Sequence, residues 1–491
     1  MMNRRIRLTI LTSAAVFTRL FLLGRKSLWI DECLAWGASR MEWMDMLNAV
    51  SSGTPHPPLS FVLIKLSTLA AGSGEIGLRL FIALVTASAV IPVYRLASRR
   101  ISEEGGFMAA LLWAVAPYSV SLGQECWVYG LNAALSLWFA DSADLAWRGS
   151  QKAYISAVFL GILGLMSQHI FLLSIMMASV LYFSVPSRER IPFLKFLVLL
   201  LFLALVYLPV FLRFREQFAA RHHRMVSAGA QIGLERLFSL RPVSEFLRII
   251  PGGILPVLSA NLLERPRMLS AYFVNIAVVF STVILPLLFW RKWKLPGLRF
   301  LLPALVIPFV LFIGDDPTAR QMAVLWIPVS ISSAGLFLRF RWTGPAVLIL
   351  CCAALVPYYH MKEFPYHRSN WREAVHYVDS IASPGQEVII FGGKSTALAW
   401  EYYSSSDIPI HAHRGRDPFA PDSVRADVSP SDYLEEVLEN SRGDVWIIND
   451  IWRAPISGLI DGFNVCEYRK KGEMMETGLV KRHAIVFSLY D

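Results

Sequence analysis

The sequence predicts a polytopic α-helical membrane protein followed by a small C-terminal α/β domain, and three observations carry that class. Of 491 residues, 55% are apolar and only 17% are charged, where a soluble chain carries nearer a quarter. Apolar runs of roughly membrane-spanning length recur from residue 6 to residue 360. Short basic clusters sit at every second boundary between these runs, the pattern that orients membrane helices. The net charge of +10 therefore reads as membrane orientation, and nucleic acid is rejected as a partner.

A bilayer core needs about 20 mostly apolar residues per helix. Candidate spans are 6–23, 77–97, 105–122, 127–146, 153–167, 170–185, 192–211, 269–289, 298–314, 320–338 and 343–360. Arg19 interrupts the first run and no small-residue cleavage site follows, so an uncleaved first helix is expected rather than a signal peptide. The run 58–71 has only 14 residues and a central Lys65. It is too short to span and reads as an interfacial helix.

Orientation follows from the basic clusters. With the N-terminus cytoplasmic, Arg4-Arg5-Arg7, Arg95 with Arg99-Arg100, Arg148 with Lys152, Arg188 with Arg190, Arg291-Lys292-Lys294 and Arg339-Arg341 all lie inside. Counting 58–71 as a span would throw the later clusters outside. Eleven spans are expected, with the loops 24–76 and 212–268 and the C-terminus on the external side. Residues 1–360 form the membrane domain in this reading.

From about residue 361 the composition changes. Trp371 to Ala382 reads as an amphipathic helix ended by Ser383-Pro384-Gly385, and 387–391 and 445–449 read as buried strands. A soluble extracytoplasmic α/β domain is expected over 361–491. Its 385–393 turn lacks the spacing of a dinucleotide or phosphate-loop fingerprint. The cysteines at 33, 126, 351, 352 and 466 show neither metal-ligand spacing nor a disulfide framework.

The external side of this topology collects Asp31-Glu32, His56, Gln124-Glu125, Gln168-His169, Asp315-Asp316 and Arg320, with Lys65 and Arg79 near the same boundary. Adjacent carboxylates at a membrane boundary are costly and need a reason. A transfer reaction there needs a carboxylate to take a proton from the attacking group or to hold a cation over a leaving phosphate. It also needs cationic donors for that phosphate, and Arg suits the role because its planar fork pairs two oxygens. Arg79, Arg320 and Lys65 are placed for it, and His56 and His169 could donate to a phosphate, ligate a metal or shuttle a proton. Plainer readings stand beside these. Asp315-Asp316-Pro317 could be a turn with a helix cap, Arg79 a snorkelling side chain, Lys65 an interfacial anchor and His169 a structural group at a helix break. The basic 212–268 loop could simply meet lipid headgroups.

Together these residues resemble a known family. Trp29-Ile30-Asp31-Glu32, His56-Pro57-Pro58-Leu59 and Glu75-Ile76-Gly77-Leu78-Arg79-Leu80 resemble the opening of the GT-C membrane glycosyltransferases, family 39 and its bacterial relatives, which include protein mannosyltransferases and the lipid A aminoarabinose transferase. Ala116-Pro117 with Gln124-Glu125 and Tyr129 is similar to that family's second external loop, and Arg320 to Pro328 to its late Arg-plus-Pro helix. Asn370-Trp371-Arg372-Glu373-Ala374 with Pro384-Gly385 resembles the start of its C-terminal soluble domain. The resemblance implies that Asp31 is the catalytic carboxylate with Glu32 beside it, that Glu125 is the second-loop acid, and that the donor is a sugar on a polyprenyl phosphate. His56, Lys65, Arg79, Gln124, Tyr129, His169 and Arg320 are the candidate donor- and phosphate-binding residues. Metal use varies among relatives, and Asp31 and Glu125 are the candidate ligands of a divalent metal. One departure stands out: relatives often carry an Arg two residues after the second-loop Glu, and this chain has Trp127, so Arg320 or Lys65 would have to supply that cation.

The expected function is transfer of one sugar from the lipid phosphate to a lipid, glycan or protein acceptor on the outer face of the cytoplasmic (inner) membrane, with inversion at the anomeric carbon. A transporter or flippase of lipid-linked sugars is the second hypothesis. Transporters usually keep ionisable groups at mid-membrane on broken helices and often show repeated halves, which this sequence lacks. A glycan polymerase or ligase is the third, and it would release a diphosphate.

Overall fold

The protein is described from a computed structural model. It covers residues 3–227, 323–360, 362, 370–391, 395–412, 430–441, 445–449, 465–470, 476–481 and 484–490. The expected spans 269–289 and 298–314, the start of 320–338, Asp315, Asp316 and Arg320 lie outside the described residues.

The chain divides into two compact units. The first comprises 1–23, 55–72 and 76–360, and the second 24–54, 73–75 and 361–491. In chain order the helices begin with α1 (Arg4–Leu20), α2 (Ile30–Arg40), α3 (Trp43–Gly53) and α4 (Leu59–Ala71). Then come α5 (Glu75–Ser88), α6 (Val90–Arg100), α7 (Glu103–Val115), α8 (Pro117–Gln124) and α9 (Val128–Trp147). They continue with α10 (Gln151–Ser167), α11 (Phe171–Ser184), α12 (Phe193–Ser227), α13 (Trp326–Arg339) and α14 (Thr343–His360).

The first unit is a helical bundle whose polarity is inverted relative to a soluble protein. Phe17, Ile155, Phe159, Phe183, Leu194, Leu205 and Ile349 are exposed on its surface, while Arg19, Arg79, Asp141 and Asp144 are buried inside. That distribution suits a lipid solvent, where apolar side chains face outward and polar groups must be satisfied within the protein. Among the described residues three helical stretches are long and apolar enough to cross a membrane: Glu75–Arg100, Phe193–Arg213 and Thr343–His360. A fourth is the pair α7 and α8, bent by 52°. The remaining expected spans that lie within the described residues coincide with helices that are shorter or less apolar.

Three local departures from the sequence reading stand out, the first with a direct physical cause. The run 105–122 is broken at Ala116, whose extended backbone (φ −66°, ψ 124°) is what the following Pro117 favours. The first loop is largely helical, because α2 and α3 precede α4, where helix is expected only over 58–71. Helix α12 does not stop at 211. It runs for 35 residues, about 52 Å, through the basic stretch Arg213–Arg224. Helix α4 has 13 residues, about 20 Å, which is short of a bilayer core of roughly 30 Å.

One end of the bundle gathers the arginines. Arg95 and Arg99 of α6 pair with Asp141 of α9, with Arg95 Nε 3.2 Å from Asp141 Oδ2. Arg99 Nε donates to Asp144 Oδ2 at 3.0 Å, Arg100 also pairs with Asp144, and Arg100 Nη1 reaches Ser184 Oγ at the end of α11 at 2.8 Å. Arg148 bonds Glu189 at 2.8 Å, and Arg7 lies 3.5 Å from Glu104. Clusters expected on one side of the membrane thus meet at one end. The sequence reading missed their acidic partners, two aspartates three residues apart inside an apolar helix.

In the second unit the sheet is formed by β1 (Glu387–Phe391), β2 (Ile410–Ala412), β3 (Val445–Asn449), β4 (Val465–Lys470), β5 (Glu476–Lys481) and β6 (Ala484–Tyr490), in the order β2-β1-β3-β5-β6-β4. β1 is parallel to β2 and β3, β5 is antiparallel to β3 and β6, and β4 is parallel to β6. Helices α15 (Trp371–Ile381), α16 (Thr396–Tyr403) and α17 (Pro430–Asn440) accompany it. β1 and β3 are almost wholly apolar and buried, as strands with both faces covered should be. Helix α2 of the first loop packs on α16, with Trp36 edge-on to Tyr402 at 5.2 Å.

Asp144→Ala removes the carboxylate that pairs with Arg100, whose side chain is 4% exposed. Losing one partner of a buried pair costs about 3–5 kcal/mol. The expected result is a clearly lowered melting temperature in detergent, while the exposed Arg148–Glu189 pair, broken by Glu189→Ala, should shift it little.

Candidate functional site

The end of the bundle opposite the arginine cluster is built around a helix break. Pro117 has no N–H, so the carbonyl of Trp113 loses the donor that a continuous helix would supply. Arg19, fully buried at the end of α1, replaces it. Its Nη2 donates to Trp113 O at 3.1 Å and its Nη1 to Ala114 O at 3.2 Å and Ala15 O at 3.2 Å. Thr18 Oγ1 donates to Ala114 O at 2.8 Å, and Ser119 Oγ also donates to Trp113 O. Gly123 lets α8 approach this arginine: a Cβ there would lie 2.5 Å from Thr86 Oγ1 and 2.9 Å from Arg19 Cγ.

The exit of α1 is tied from three directions. Gln124 Nε2 donates to Arg19 O at 3.2 Å and to Phe21 O at 2.8 Å, while its Oε1 accepts from Tyr358 at 3.0 Å. Tyr359 donates to Thr18 O. Leu22 takes a left-handed conformation (φ 54°), and Leu23 O accepts from the buried Arg79 at 3.0 Å. Gln124 and Arg79, both candidates for the phosphate, therefore commit bonds to the carbonyls where α1 ends.

Glu125 follows α8 in extended conformation and is 4% exposed, and Tyr129 is buried in the first turn of α9. Trp127 is the N-cap residue of α9. Its ring meets His56 and Phe61 edge-on, each at 5.5 Å. It packs the His56-Pro57-Pro58 turn and the start of α4 onto α9. Lys65 is buried on α4 together with Phe61 and Ile64. His169 lies in the turn between α10 and α11, its Nδ1 2.6 Å from the Tyr207 hydroxyl of α12 and its ring also bonded to the Pro55 backbone. Burial lowers its pKa from 6.5 to about 4, against the opposing Pro55 bond. His169 is neutral at physiological pH.

Asp31 and Glu32 belong to the second unit, in the first turn of α2, where a helix N-terminus favours negative charge. Their roles differ. Glu32 is fully buried, and its Oε2 accepts the Trp29 N–H at 3.4 Å, capping its own helix. Asp31 is half-buried. Upstream, Gly24–Leu28 is held by Arg372, Tyr403 and Lys362 of the C-terminal region. Arg372 Nη1 donates to Arg25 O at 2.9 Å and Nη2 to Gly24 O at 3.0 Å. Arg372 also pairs with Glu75. Burial opposes the Arg372 charge, but Glu75 and Tyr403 together outweigh it and move the pKa up. Burial and Glu75 both raise the Tyr403 phenol, so it stays a hydrogen-bond donor.

Sequence reasoning missed Arg372, Tyr403 and Arg19 as organisers of these two regions. The signal for Arg19 was present in its isolation within an apolar run. Among the described residues no three His, Cys, Asp or Glu side chains gather as metal ligands do. The four described cysteines, 33, 126, 351 and 352, are free thiols.

No curated protein matches this sequence. Residues 55–212 match the family model described as dolichyl-phosphate-mannose-protein mannosyltransferase. The structure is similar to the crystal structure of ArnT from Cupriavidus metallidurans bound to undecaprenyl phosphate, with a TM-score of 0.55 and 11% identity over 93% of this chain and 94% of that one. The apo form of that ArnT gives a TM-score of 0.55 at 11% identity over 96% and 97%. A weaker similarity, TM-score 0.48 at 11% identity over 90% of this chain and 69% of that one, is to the oligosaccharyltransferase AglB from Archaeoglobus fulgidus in complex with an inhibitory peptide and a dolichol-phosphate. The chain has the fold of the GT-C membrane glycosyltransferases.

Two outcomes follow. Gln124→Leu leaves the Arg19 and Phe21 carbonyls without these donors, at about 1–3 kcal/mol each, so its melting temperature should fall. His169 binds a proton near pH 6.5 when unfolded but only near 4 when folded, so the unfolded chain holds more protons between those values. Its contribution to stability is full above pH 6.5, declines as pH falls and levels off below 4. Plotted against pH, the melting temperature of His169→Gln should be flatter than that of wild type between pH 6.5 and 4.

Proposed function

We propose that the protein is a glycosyltransferase that moves one sugar from a polyprenyl-phosphate donor to a hydroxyl of a lipid, glycan or protein acceptor. The reaction takes place on the outer face of the cytoplasmic membrane, the side to which the C-terminal unit also belongs. One observation carries the assignment of the catalytic carboxylate: of two adjacent acids at the start of α2, Glu32 is buried in its helix cap and Asp31 is the half-buried one. The GT-C fold and the bound undecaprenyl phosphate of the ArnT structure support the donor class.

In this mechanism the Asp31 carboxylate accepts the proton of the acceptor hydroxyl as that oxygen attacks the anomeric carbon. The carbon–oxygen bond to the phosphate breaks, its electron pair leaves with the polyprenyl phosphate, and the single displacement inverts the anomeric centre by analogy with inverting glycosidases. Because the phosphate is already a fair leaving group, positioning and charge neutralisation dominate the rate gain. Lys65 or Arg320 carries that neutralisation in this reading, and Glu125 is the second-loop acid. Gln124 and Arg79 act by fixing the end of α1, and neutral His169 by fixing Pro55 and the turn that follows.

The test is transfer of label from radiolabelled polyprenyl-phosphate sugars to membrane acceptors by purified protein. Asp31→Asn should lower turnover by at least about 100-fold. Glu32→Gln, which keeps an acceptor for the Trp29 N–H, should stay near wild type. A fully active Asp31→Asn would remove the base assignment. Wild-type protein that binds the lipid and releases no label would move the transporter reading ahead.

A further inference from the structure

We infer that Arg372, Glu75 and Tyr403 form a clasp that holds the backbone of Gly24–Leu28 and so positions Asp31, making them positioning residues for the transfer step. The inference rests on the reading of Asp31 as the catalytic carboxylate.

Residues 24–29 lie outside any helix or strand, and a segment without regular structure must find its backbone partners elsewhere. Here one guanidinium serves three consecutive carbonyls: Arg372 donates to Gly24 O at 3.0 Å, to Arg25 O at 2.9 Å and to Lys26 O at 3.4 Å. The next residue is held twice, Ser27 N by Lys362 O at 2.7 Å and Ser27 Oγ by the Arg372 N–H at 3.1 Å. Leu28 N then donates to the Tyr403 hydroxyl at 2.7 Å. Trp29 O receives the Cys33 N–H at 3.0 Å, and its N–H goes to Glu32, so α2 begins where the clasp ends. Asp31 stands three residues beyond the last clasped amide.

Glu75 fixes the clasp itself. It pairs with Arg372 and accepts the Tyr403 hydroxyl proton at 2.6 Å on the same oxygen. The Arg372 guanidinium also lies 5.8 Å from the Tyr403 ring centroid. Both charged side chains are largely shielded, at 28% and 17% exposure. Lysine could keep the charge but not a planar fork spread over three carbonyls and a carboxylate. In this arrangement Tyr403, on α16, and Arg372, on α15, act on the loop backbone that leads into α2, so their effect should fall on the chemical step, where small misplacements are costly.

The experiment uses full-length purified enzyme carrying Arg372→Lys, Tyr403→Phe or Glu75→Gln, with a polyprenyl-phosphate sugar as probe. Three readouts are compared with wild type at a temperature well below melting: kcat, KM for the lipid donor, and amide exchange of the peptide covering 24–29. The expected result is a fall in kcat on the order of tenfold for Arg372→Lys and a smaller fall for Tyr403→Phe, with KM little changed and exchange at 24–29 accelerated in both. Tyr403→Phe removes one hydroxyl and no charge, so it decides the matter if Arg372→Lys fails to fold. Faster exchange with unchanged kcat would overturn the inference, since the clasp would then be a brace only. A lower kcat without faster exchange would overturn it too, as would no change in either. A wild-type enzyme without turnover would instead overturn the glycosyltransferase reading and the inference with it, which separates the two failures.

Discussion

The bundle end that carries the candidate residues depends on a buried guanidinium placed against a proline break. Pro117 interrupts the helix that starts at Glu103 and leaves carbonyls without donors in a region that lipid would otherwise surround. Such groups cost several kcal/mol each when unsatisfied. Arg19 meets Trp113, Ala114 and Ala15 at once, and an arginine in an apolar helix is tolerable only because those carbonyls are there. The break turns α8 so that Gln124 ends against the carbonyls of Arg19 and Phe21. The amide, the guanidinium and the two tyrosines of α14 thus form one set of mutual caps, and Glu125 follows directly from it.

The two ends of the bundle use charge differently. At one end Asp141 and Asp144 are almost fully buried and each is shared among arginines, so the charges are committed to holding helices. At the other end Arg19 and Arg79 donate to backbone carbonyls, which satisfies the main chain. In the second unit the same economy of roles recurs within two neighbouring residues, Glu32 capping α2 and Asp31 proposed for chemistry.

Much of the helical order was legible because it follows from period and charge. The basic clusters at alternate boundaries correctly anticipated that Arg7, Arg95, Arg99, Arg100 and Arg148 share one end, and the apolar runs at 387–391 and 445–449 are strands. Asp31-Glu32 was visible as an acidic pair in the first loop, but the helix it opens and the division between the two were not, since that division depends on the backbone N–H of Trp29. The helices α2 and α3 were hidden because Ile30–Arg40 mixes small, acidic and aromatic residues without a clean apolar stripe. The Arg372 clasp could not be read at all. It joins residues about 300–350 positions apart, and nothing local in Gly24–Leu28 says which side chain will satisfy its carbonyls.

The central claim is that the leaving group is a polyprenyl monophosphate, and mass analysis of the lipid product tests it most directly. Purified enzyme turning over a polyprenyl-phosphate sugar should release free polyprenyl monophosphate in equal amount to the glycosylated acceptor. Release of a polyprenyl diphosphate from a diphosphate-linked donor, with the monophosphate-linked donor left intact, would contradict the account and point to a polymerase or ligase.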